Sequence, residues 1–159
     1  MPSLTAVGEI CILKREAFSG VNHVPQGGGE NMENAKRKSI LIVDDEEMVG
    51  GVACQLLDYL GYEPLHVYDG NEAFQEYKKR YLENSPFSVV IMDLTIPGGV
   101  GGREAIGMIL SVDPNAKVVV SSGYSDDPIM LNYADYGFVG VLDKPFDLTT
   151  LEKSITDII

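Results

Sequence analysis

The sequence has few cysteines, no tryptophan and no long apolar run, and these shortages exclude several classes of protein. Its two cysteines, Cys11 and Cys54, form neither a disulfide framework nor a zinc site of the usual ligand spacing. The apolar runs are much shorter than the stretch of about 20 residues that a membrane helix needs. The N-terminus also lacks the basic flank and apolar segment of a secretion signal. We therefore predict a cytoplasmic protein that does not enter a membrane.

Basic residues are scarce as well. The 159 residues include 12 Lys and Arg against 24 Asp and Glu, which gives a net charge of −12. The imbalance lies in residues 39–159, with seven basic and twenty acidic residues, whereas residues 1–38 have five and four. An acidic domain repels phosphate backbones, so we expect no nucleic-acid partner.

The change of composition near residue 38 predicts a domain boundary. Residues 1–38 contain a glycine run at 27–29 and one strand-like stretch, residues 9–14 (EICILK). This stretch offers too little apolar surface to fold alone. We predict a flexible extension or linker over residues 1–38 and one globular domain over residues 39–159.

From residue 39 onward, short apolar runs alternate with segments of helical periodicity. The predicted strands are residues 40–43, 63–68, 88–92, 117–120 and 138–142, and the predicted helices are residues 49–60, 71–82, 102–112, 128–136 and a last one capped by Asp147. Such alternation predicts an α/β fold with a parallel, doubly wound sheet. The strands are almost continuously apolar, which indicates that helices cover both faces of the sheet.

Polar residues follow four of these strands. They are Asp44 and Asp45, Asp93, Ser121 and Lys144. Because the carboxyl ends of parallel strands lie at one edge of a sheet, we expect these side chains to meet there. Three carboxylates in one place repel one another, and Mg²⁺ with its preference for oxygen ligands removes that cost. A carboxylate beside Mg²⁺, with a hydroxyl and an ammonium nearby, is equipped to accept a phosphoryl group.

Each of these residues also has a simpler interpretation. Asp44 or Asp45 could cap the following helix, and Asp93 could form a turn. Ser121 could be a hydrogen-bonded hydroxyl at a strand end, and Lys144 could be an ordinary surface charge. Their shared position at one predicted edge favours a functional site over five separate local roles.

Four stretches of the sequence resemble the receiver domain of two-component response regulators. They are LIVDDEE (41–47), VVIMDLTIPGG (89–99), VVVSSGYSDD (118–127) and LDKPF (142–146), and the resemblance extends over about residues 38–159. The runs DLTIPGG and SSGYSDDP are most similar to receivers of hybrid sensor histidine kinases. The resemblance implies a flavodoxin-like fold with five parallel strands in the order 2-1-3-4-5 and five helices.

The resemblance also implies the phosphoacceptor and the metal ligands. Asp93 would take a phosphoryl group from a phosphohistidine on a sensor histidine kinase or a histidine phosphotransfer domain. Asp45, Asp93 and the backbone carbonyl of Thr95 would bind Mg²⁺ directly, and Asp44 would act mainly through a metal-bound water.

Two further residues receive roles from the same resemblance. Ser121 and Lys144 would contact the phosphoryl oxygens, and the peptide bond between Lys144 and Pro145 would be cis. The domain would catalyse its own phosphorylation without being a turnover enzyme. It would be either a stand-alone receiver or a part of a hybrid kinase.

The sequence departs from the usual receiver pattern at two positions. Val141 stands three residues before Lys144, where many receivers have a Tyr or Phe whose movement transmits the signal. Gly123 stands where many receivers have a side chain that tunes dephosphorylation. Neither position belongs to the predicted acidic site.

Three alternative functions remain at this point. The first is a receiver-like docking module that is not phosphorylated, and the intact acidic set argues against it. The second is a phosphatase with an aspartate nucleophile, but in that class the nucleophile comes first in the chain and a second Asp stands where this sequence has Thr95. The third is a flavodoxin-like cofactor binder. That class has a Ser/Thr-rich phosphate loop after the first strand, and this sequence has no such loop there.

Overall fold

A computed structural model of the chain describes residues 36–159. The strand-like stretch at residues 9–14 lies outside the described residues. The strands are β1 (Ser39–Val43), β2 (Glu63–Val67), β3 (Val89–Asp93), β4 (Val118–Ser122) and β5 (Gly140–Asp143). The helices are α1 (Glu47–Tyr59), α2 (Gly70–Leu82), α3 (Gly102–Val112), α4 (Pro128–Leu131) and α5 (Leu148–Thr156), with a 3₁₀ helix at Tyr133–Tyr136.

The five strands form one parallel sheet in the order β2-β1-β3-β4-β5. Helices α2, α3 and α4 cover one face and α1 and α5 cover the other, and each face has its own cluster of buried apolar residues. The alternation along a strand explains this division, because successive side chains point to opposite faces. The predicted fold, strand order and burial of both faces are confirmed.

Local signals in the sequence set several helix ends. The carboxylate of Asp147 accepts a hydrogen bond of 2.8 Å from the backbone N–H of Thr150 and so caps α5, as predicted. Gly61 follows α1 with a φ of +91°, a left-handed conformation that glycine adopts without strain. Asp69 caps α2 in the same way as Asp147 caps α5.

The predicted helix over residues 128–136 is interrupted in the structure. Helix α4 ends at Leu131, and the chain continues as a 3₁₀ turn up to Tyr136. The side-chain amide of Asn132 donates to the carbonyl of Pro128 at 3.0 Å, and the backbone N–H of Asn132 bonds the same carbonyl. A side chain that bonds the local backbone in this way competes with regular helix geometry.

Three strands end one or two residues later than predicted. Strand β3 includes Asp93, and β4 includes both Ser121 and Ser122. Strand β5 begins at Gly140 and ends at Asp143, so Lys144 is the first residue after it. Because β4 extends to Ser122, both serines lie within the strand and not after it.

The loop between β3 and α3 is closed at its base. The N–H of Gly102 donates to the carbonyl of Leu94 at 3.2 Å, so the two ends of the loop are bonded to each other. The carbonyl of Val100 accepts a 2.8 Å bond from the N–H of Gly70 at the start of α2. A Cβ at position 101 would lie 2.8 Å from the carbonyl oxygen of Leu94, which requires the glycine found there.

The residues before β1 lie against the rest of the domain. The guanidinium of Arg37 bonds the carbonyls of Asp58, Gly61 and Tyr62 and the carboxylate of Asp58. The ammonium of Lys36 bonds the hydroxyl of Ser85 at 2.8 Å. Within residues 36–159 no helix is long and apolar enough to cross a membrane. The extension predicted for residues 1–38 stays a prediction for the part that lies outside the described residues.

Candidate functional site

Three carboxylates meet at the carboxyl edge of the sheet, as the sequence predicts. One oxygen from each of Asp44, Asp45 and Asp93 lies within 4.8 Å of the other two. Asp44 and Asp93 are buried, with 3% and 7% of their surfaces exposed, whereas Asp45 is open to solvent. Like charges this close cost free energy unless a cation lies among them.

The ammonium of Lys144 lies between two of these carboxylates. Its Nζ is 2.5 Å from Oδ2 of Asp44 and 3.3 Å from Oδ2 of Asp93. Burial alone lowers the pKa of Lys144, but its bond with Asp44 and the charge of Asp93 outweigh burial and raise the pKa above the ordinary value. Lys144 therefore stays charged and balances one of the three carboxylates.

The carboxyl group of Asp93 has a raised pKa. Burial raises its pKa from 3.8 to about 6, and the charge of Asp44 adds to this, although Lys144 and the N–H of Thr95 act in the opposite direction. The N–H of Thr95 lies 3.4 Å from Oδ1 of Asp93. An acid with a pKa near 6 is mostly ionised at pH 7, although burial makes its charged form less favourable in free energy.

The donor set suits Mg²⁺. Two ligands on opposite sides of an octahedral Mg²⁺ lie about 4.2 Å apart, slightly less than the 4.8 Å limit within which the three oxygens lie. One cation can therefore bind oxygens of this spacing directly, or bind one of them through a water. Oδ1 of Asp44 accepts the N–H of Glu46 and Oδ2 binds Lys144, so an indirect role suits Asp44 best.

Ser121 and Ser122 use their hydroxyl groups differently. The Oγ of Ser121 is buried and donates to the carbonyl of Leu142 at 3.0 Å, so its single proton is used inside the sheet. The Oγ of Ser122 accepts the N–H of Tyr124 at 3.1 Å, which leaves its proton available to donate. Ser122 is also the last residue of β4, and the N–H of Lys144 bonds its carbonyl.

Ser122 had no predicted role, because the predicted strand ended at Val120. The available signal was the strand length, since a strand that includes both serines places Ser122 nearest the loop.

Comparison with known proteins identifies the family. The chain matches the family described as response regulator receiver domain over residues 40–156. The chain belongs to the response regulator receiver family. It is 30% identical over 122 residues to the chemotaxis protein CheY of Thermotoga maritima, which covers 76% of this chain and 97% of that protein. The predicted receiver domain of two-component signalling is thereby confirmed.

Sensor kinases are also among the similar proteins. The receiver domain is 31% identical over 90 residues to the CAI-1 autoinducer sensor kinase/phosphatase CqsS of Vibrio cholerae, which covers 57% of this chain and 12% of that protein. The solved receiver domain of a sensor histidine kinase from Pseudomonas aeruginosa PAO1 superposes with a TM-score of 0.68 at 21% identity, covering 77% of this chain and 97% of that one. That solved structure has a magnesium ion coordinated in its active site cleft.

The two departures from the receiver pattern have clear positions in the structure. Val141 is half-buried and packs, like Tyr133, against the apolar cluster below α3 and α4. Gly123 is exposed, and a Cβ there would meet nothing within 4 Å. The peptide bond between Lys144 and Pro145 is cis, as the resemblance implies. The metal-binding role of the Thr95 carbonyl stays a prediction.

Proposed function

We propose that this receiver domain accepts a phosphoryl group on Asp93 from a phosphohistidine of a sensor histidine kinase or a histidine phosphotransfer domain. The observation that carries the proposal is the position of the Asp93 carboxylate, 3.3 Å from the ammonium of Lys144 and beside the acidic pair. A buried carboxylate with a raised pKa, one cation and two acidic neighbours fits a nucleophile better than a structural role.

The reaction transfers a phosphoryl group from a nitrogen of the partner histidine to an oxygen of Asp93. An oxygen of Asp93 forms a bond to phosphorus while the bond from phosphorus to the imidazole nitrogen breaks. The electron pair of the broken bond stays on that nitrogen, which is then neutralised by a proton from solvent. The product is an acyl phosphate on Asp93 and a free histidine on the partner.

The surrounding residues hold the charges of this reaction. Bound Mg²⁺ would supply charge neutralisation for the phosphoryl oxygens, held by Asp45, Asp93 and the carbonyl of Thr95, with Asp44 acting through a water. The ammonium of Lys144 already contacts Asp93 and lies close enough to pair with a phosphoryl oxygen.

A hydroxyl group is the last of the groups that would contact the phosphoryl oxygens. The resemblance gives this role to Ser121, but the proton of Ser121 is bonded to Leu142, so we propose that Ser122 donates to the phosphoryl oxygen. Ser122→Ala should therefore slow phosphorylation by about tenfold, as expected for one lost hydrogen bond in the transition state. Ser121→Ala should change the rate by less than about twofold, and the opposite order of the two variants would return the role to Ser121.

We further propose the setting in which the domain acts. The protein accepts one phosphoryl group per domain in the cytoplasm and is not a turnover enzyme. Its similarity to CqsS favours a sensor kinase as partner, with this receiver either separate or part of a hybrid kinase. The low cysteine content agrees with a reducing compartment.

The test is intact mass spectrometry after incubation with acetyl phosphate and Mg²⁺. We expect one phosphoryl adduct on the wild-type chain, none without Mg²⁺ and none on Asp93→Asn. Asp126→Asn is the matched control, because Asp126 is an exposed acid outside the three-carboxylate site. A full adduct on Asp93→Asn would disprove the acceptor assignment. Continuous release of phosphate from phosphate esters would instead indicate a phosphatase.

A further inference from the structure

A buried histidine beside the acidic site has no part in the function proposed so far. His66 is 4% exposed, and it lies on β2 opposite Ile42 of β1. Its Nε2 is 2.8 Å from the backbone carbonyl oxygen of Asp44. A carbonyl oxygen only accepts hydrogen bonds, so the proton of this bond belongs to Nε2 and the histidine is the donor.

This bond completes the attachment of Asp44 to β2. The N–H of Asp44 donates to the carbonyl of Val67 at 3.1 Å, so both polar groups of the Asp44 backbone are bonded to residues of the same strand. The carbonyl belongs to the planar peptide group that joins Asp44 to Asp45. A donor that holds this carbonyl in place therefore also fixes the orientation of the whole peptide group, which includes the Cα of Asp45.

Asp45 depends on that plane more than its neighbour does. It lies after the end of β1, outside the ladder of the sheet, and its side chain is open to solvent. The side chain of Asp44 is held by Glu46 and Lys144. The peptide plane is therefore a main determinant of where the Asp45 carboxylate points.

A glycine in α1 makes room for the histidine ring. A Cβ at Gly50 would lie 2.2 Å from both Cε1 and Nε2 of His66, a distance that no side chain tolerates. The neighbouring Gly51 has nothing within 4 Å of its Cβ position. Gly50 and Gly51 both weaken α1. The histidine ring explains Gly50, because the ring can reach Asp44 only when position 50 has no side chain.

We infer that His66 is a positioning residue that orients the peptide between Asp44 and Asp45 so that Asp45 can bind Mg²⁺. His66 contacts neither the cation nor the phosphoryl group, and it acts through the Asp44 carbonyl. The inference rests on the proposed Mg²⁺-dependent function. Partners that orient a ligand in this way typically change metal affinity by about tenfold or more when they are removed.

Two variants of His66 separate positioning from packing. In His66→Gln the side-chain amide nitrogen is as many bonds from Cα as Nε2 is, so the donor is kept. In His66→Met the length and bulk are similar but the donor is absent. We expect His66→Met to weaken Mg²⁺ binding by about tenfold and His66→Gln to stay within about twofold of the wild type. Titration calorimetry on the full chain measures the affinity, and urea unfolding shows that each variant is folded.

The two glycines provide an independent pair of variants. Gly50→Ala should displace the ring from the Asp44 carbonyl and weaken Mg²⁺ binding, whereas Gly51→Ala should leave the affinity unchanged. Equal Mg²⁺ affinity in the wild type and a folded His66→Met variant overturns the inference. Absence of Mg²⁺ binding by the wild type would instead overturn the proposed function itself.

A measurement that leaves His66 and its neighbours unchanged tests the inference if these variants do not fold. The chain has two histidines, His23 and His66, so the imidazole nitrogen signals are readily assigned by NMR with His23→Gln. We expect the Nε2–H of His66 to be protected from solvent exchange and to shift when Mg²⁺ is added. A ring protonated only on Nδ1, or a signal that Mg²⁺ does not move, contradicts the inference.

Discussion

Two aspartates of nearly equal burial lie at opposite edges of the same sheet. Asp93 is 7% exposed and ends β3, whereas Asp113 is 8% exposed and lies after α3, near the start of β4. The carboxylate of Asp113 accepts the hydroxyl of Tyr77 at 2.7 Å and the N–H of Asn115 at 3.0 Å. Asp93 has one ammonium, one long bond to an N–H and a second carboxylate nearby.

The comparison shows that two equally buried carboxylates can have very different surroundings. Both donors to Asp113 are neutral and hydrogen-bonded, and burial together with Asp113 raises the pKa of Tyr77, so that its hydroxyl keeps the donated proton. At Asp93 the neighbours compete, because Lys144 favours the charged form while burial and Asp44 oppose it. The hydrogen bonds of Asp113 indicate a structural role, whereas the competing neighbours of Asp93 suit the nucleophile that we propose.

The two edges should differ most in stability and in phosphorylation rate when one lysine is replaced at each edge. Lys144→Gln leaves Asp44 and Asp93 without their cation, which should lower the free energy of unfolding by about 3 kcal/mol in the absence of metal. Phosphorylation by acetyl phosphate should slow by about 100-fold. The control is Lys117→Gln, because Lys117 bonds the carbonyl of Ile158 at the opposite edge. Stopped assays and urea titrations measure both quantities, and similar losses in both variants would contradict the comparison.

The pH dependence of stability should reveal the raised pKa of Asp93. The pKa of Asp93 is raised from 3.8 to about 6, so the folded protein holds this proton more tightly than the unfolded chain. Its ionisation therefore destabilises the metal-free fold as pH rises from about 4 to about 6, by about 3 kcal/mol in total. Urea unfolding at several pH values should show this loss in the wild type. It should be absent from Asp93→Asn, and an unchanged pH profile in that variant would contradict the assignment.

Mg²⁺ should stabilise the protein through the carboxyl edge alone. At 100 times its dissociation constant, a ligand that binds only the folded state adds about 2.7 kcal/mol to the free energy of unfolding. Asp45→Ala should remove most of this gain, Asp44→Ala should remove less, and Asp113→Asn should remove none. Calorimetry with and without Mg²⁺ measures the effect. Equal Mg²⁺ affinity in the wild type and Asp45→Ala would contradict the role of Asp45 as a direct ligand.

The smallest effect is expected at the structural edge. Tyr77→Phe removes the hydroxyl bonded to Asp113 and leaves one carboxylate oxygen without that donor, which should cost about 1 to 2 kcal/mol of stability. Phosphorylation of Asp93 should proceed at the wild-type rate. Thermal unfolding and the mass assay test these two statements together, and a slowed phosphorylation would mean that the two edges are coupled.

Most of the fold and the main acids of the site were predictable because they depend on local sequence. A β-branched run such as residues 40–43 identifies a buried strand, and parallel topology then brings Asp44, Asp45 and Asp93 to one edge. The choice between Ser121 and Ser122 was not predictable in the same way. It depends on where β4 ends, and a shift of one residue along a strand turns a side chain to the other face.

His66 and Asn132 show a second limit of local reasoning. The contact of His66 with Asp44 joins residues 22 positions apart, and it requires the glycine at position 50 on a third element. The interruption of the predicted helix at Asn132 depends on which carbonyl its side chain reaches, and helical periodicity does not specify that choice. The first feature arises from residues that are distant in the sequence, and the second from a side-chain bond four residues back along the chain.

The closed loop after β3 lies on one side of the proposed phosphoacceptor Asp93, and an exposed segment lies on the other side. The two ends of the loop are bonded between Leu94 and Gly102, and Val100 is attached to the start of α2, so a displacement of Asp93 meets resistance in that direction. On the other side, residues 123–126 after β4 are exposed, and the adjoining α4 has only four residues. We therefore expect a displacement of Asp93 to be accommodated in the β4–α4 segment, with the α2–α3 side staying in place.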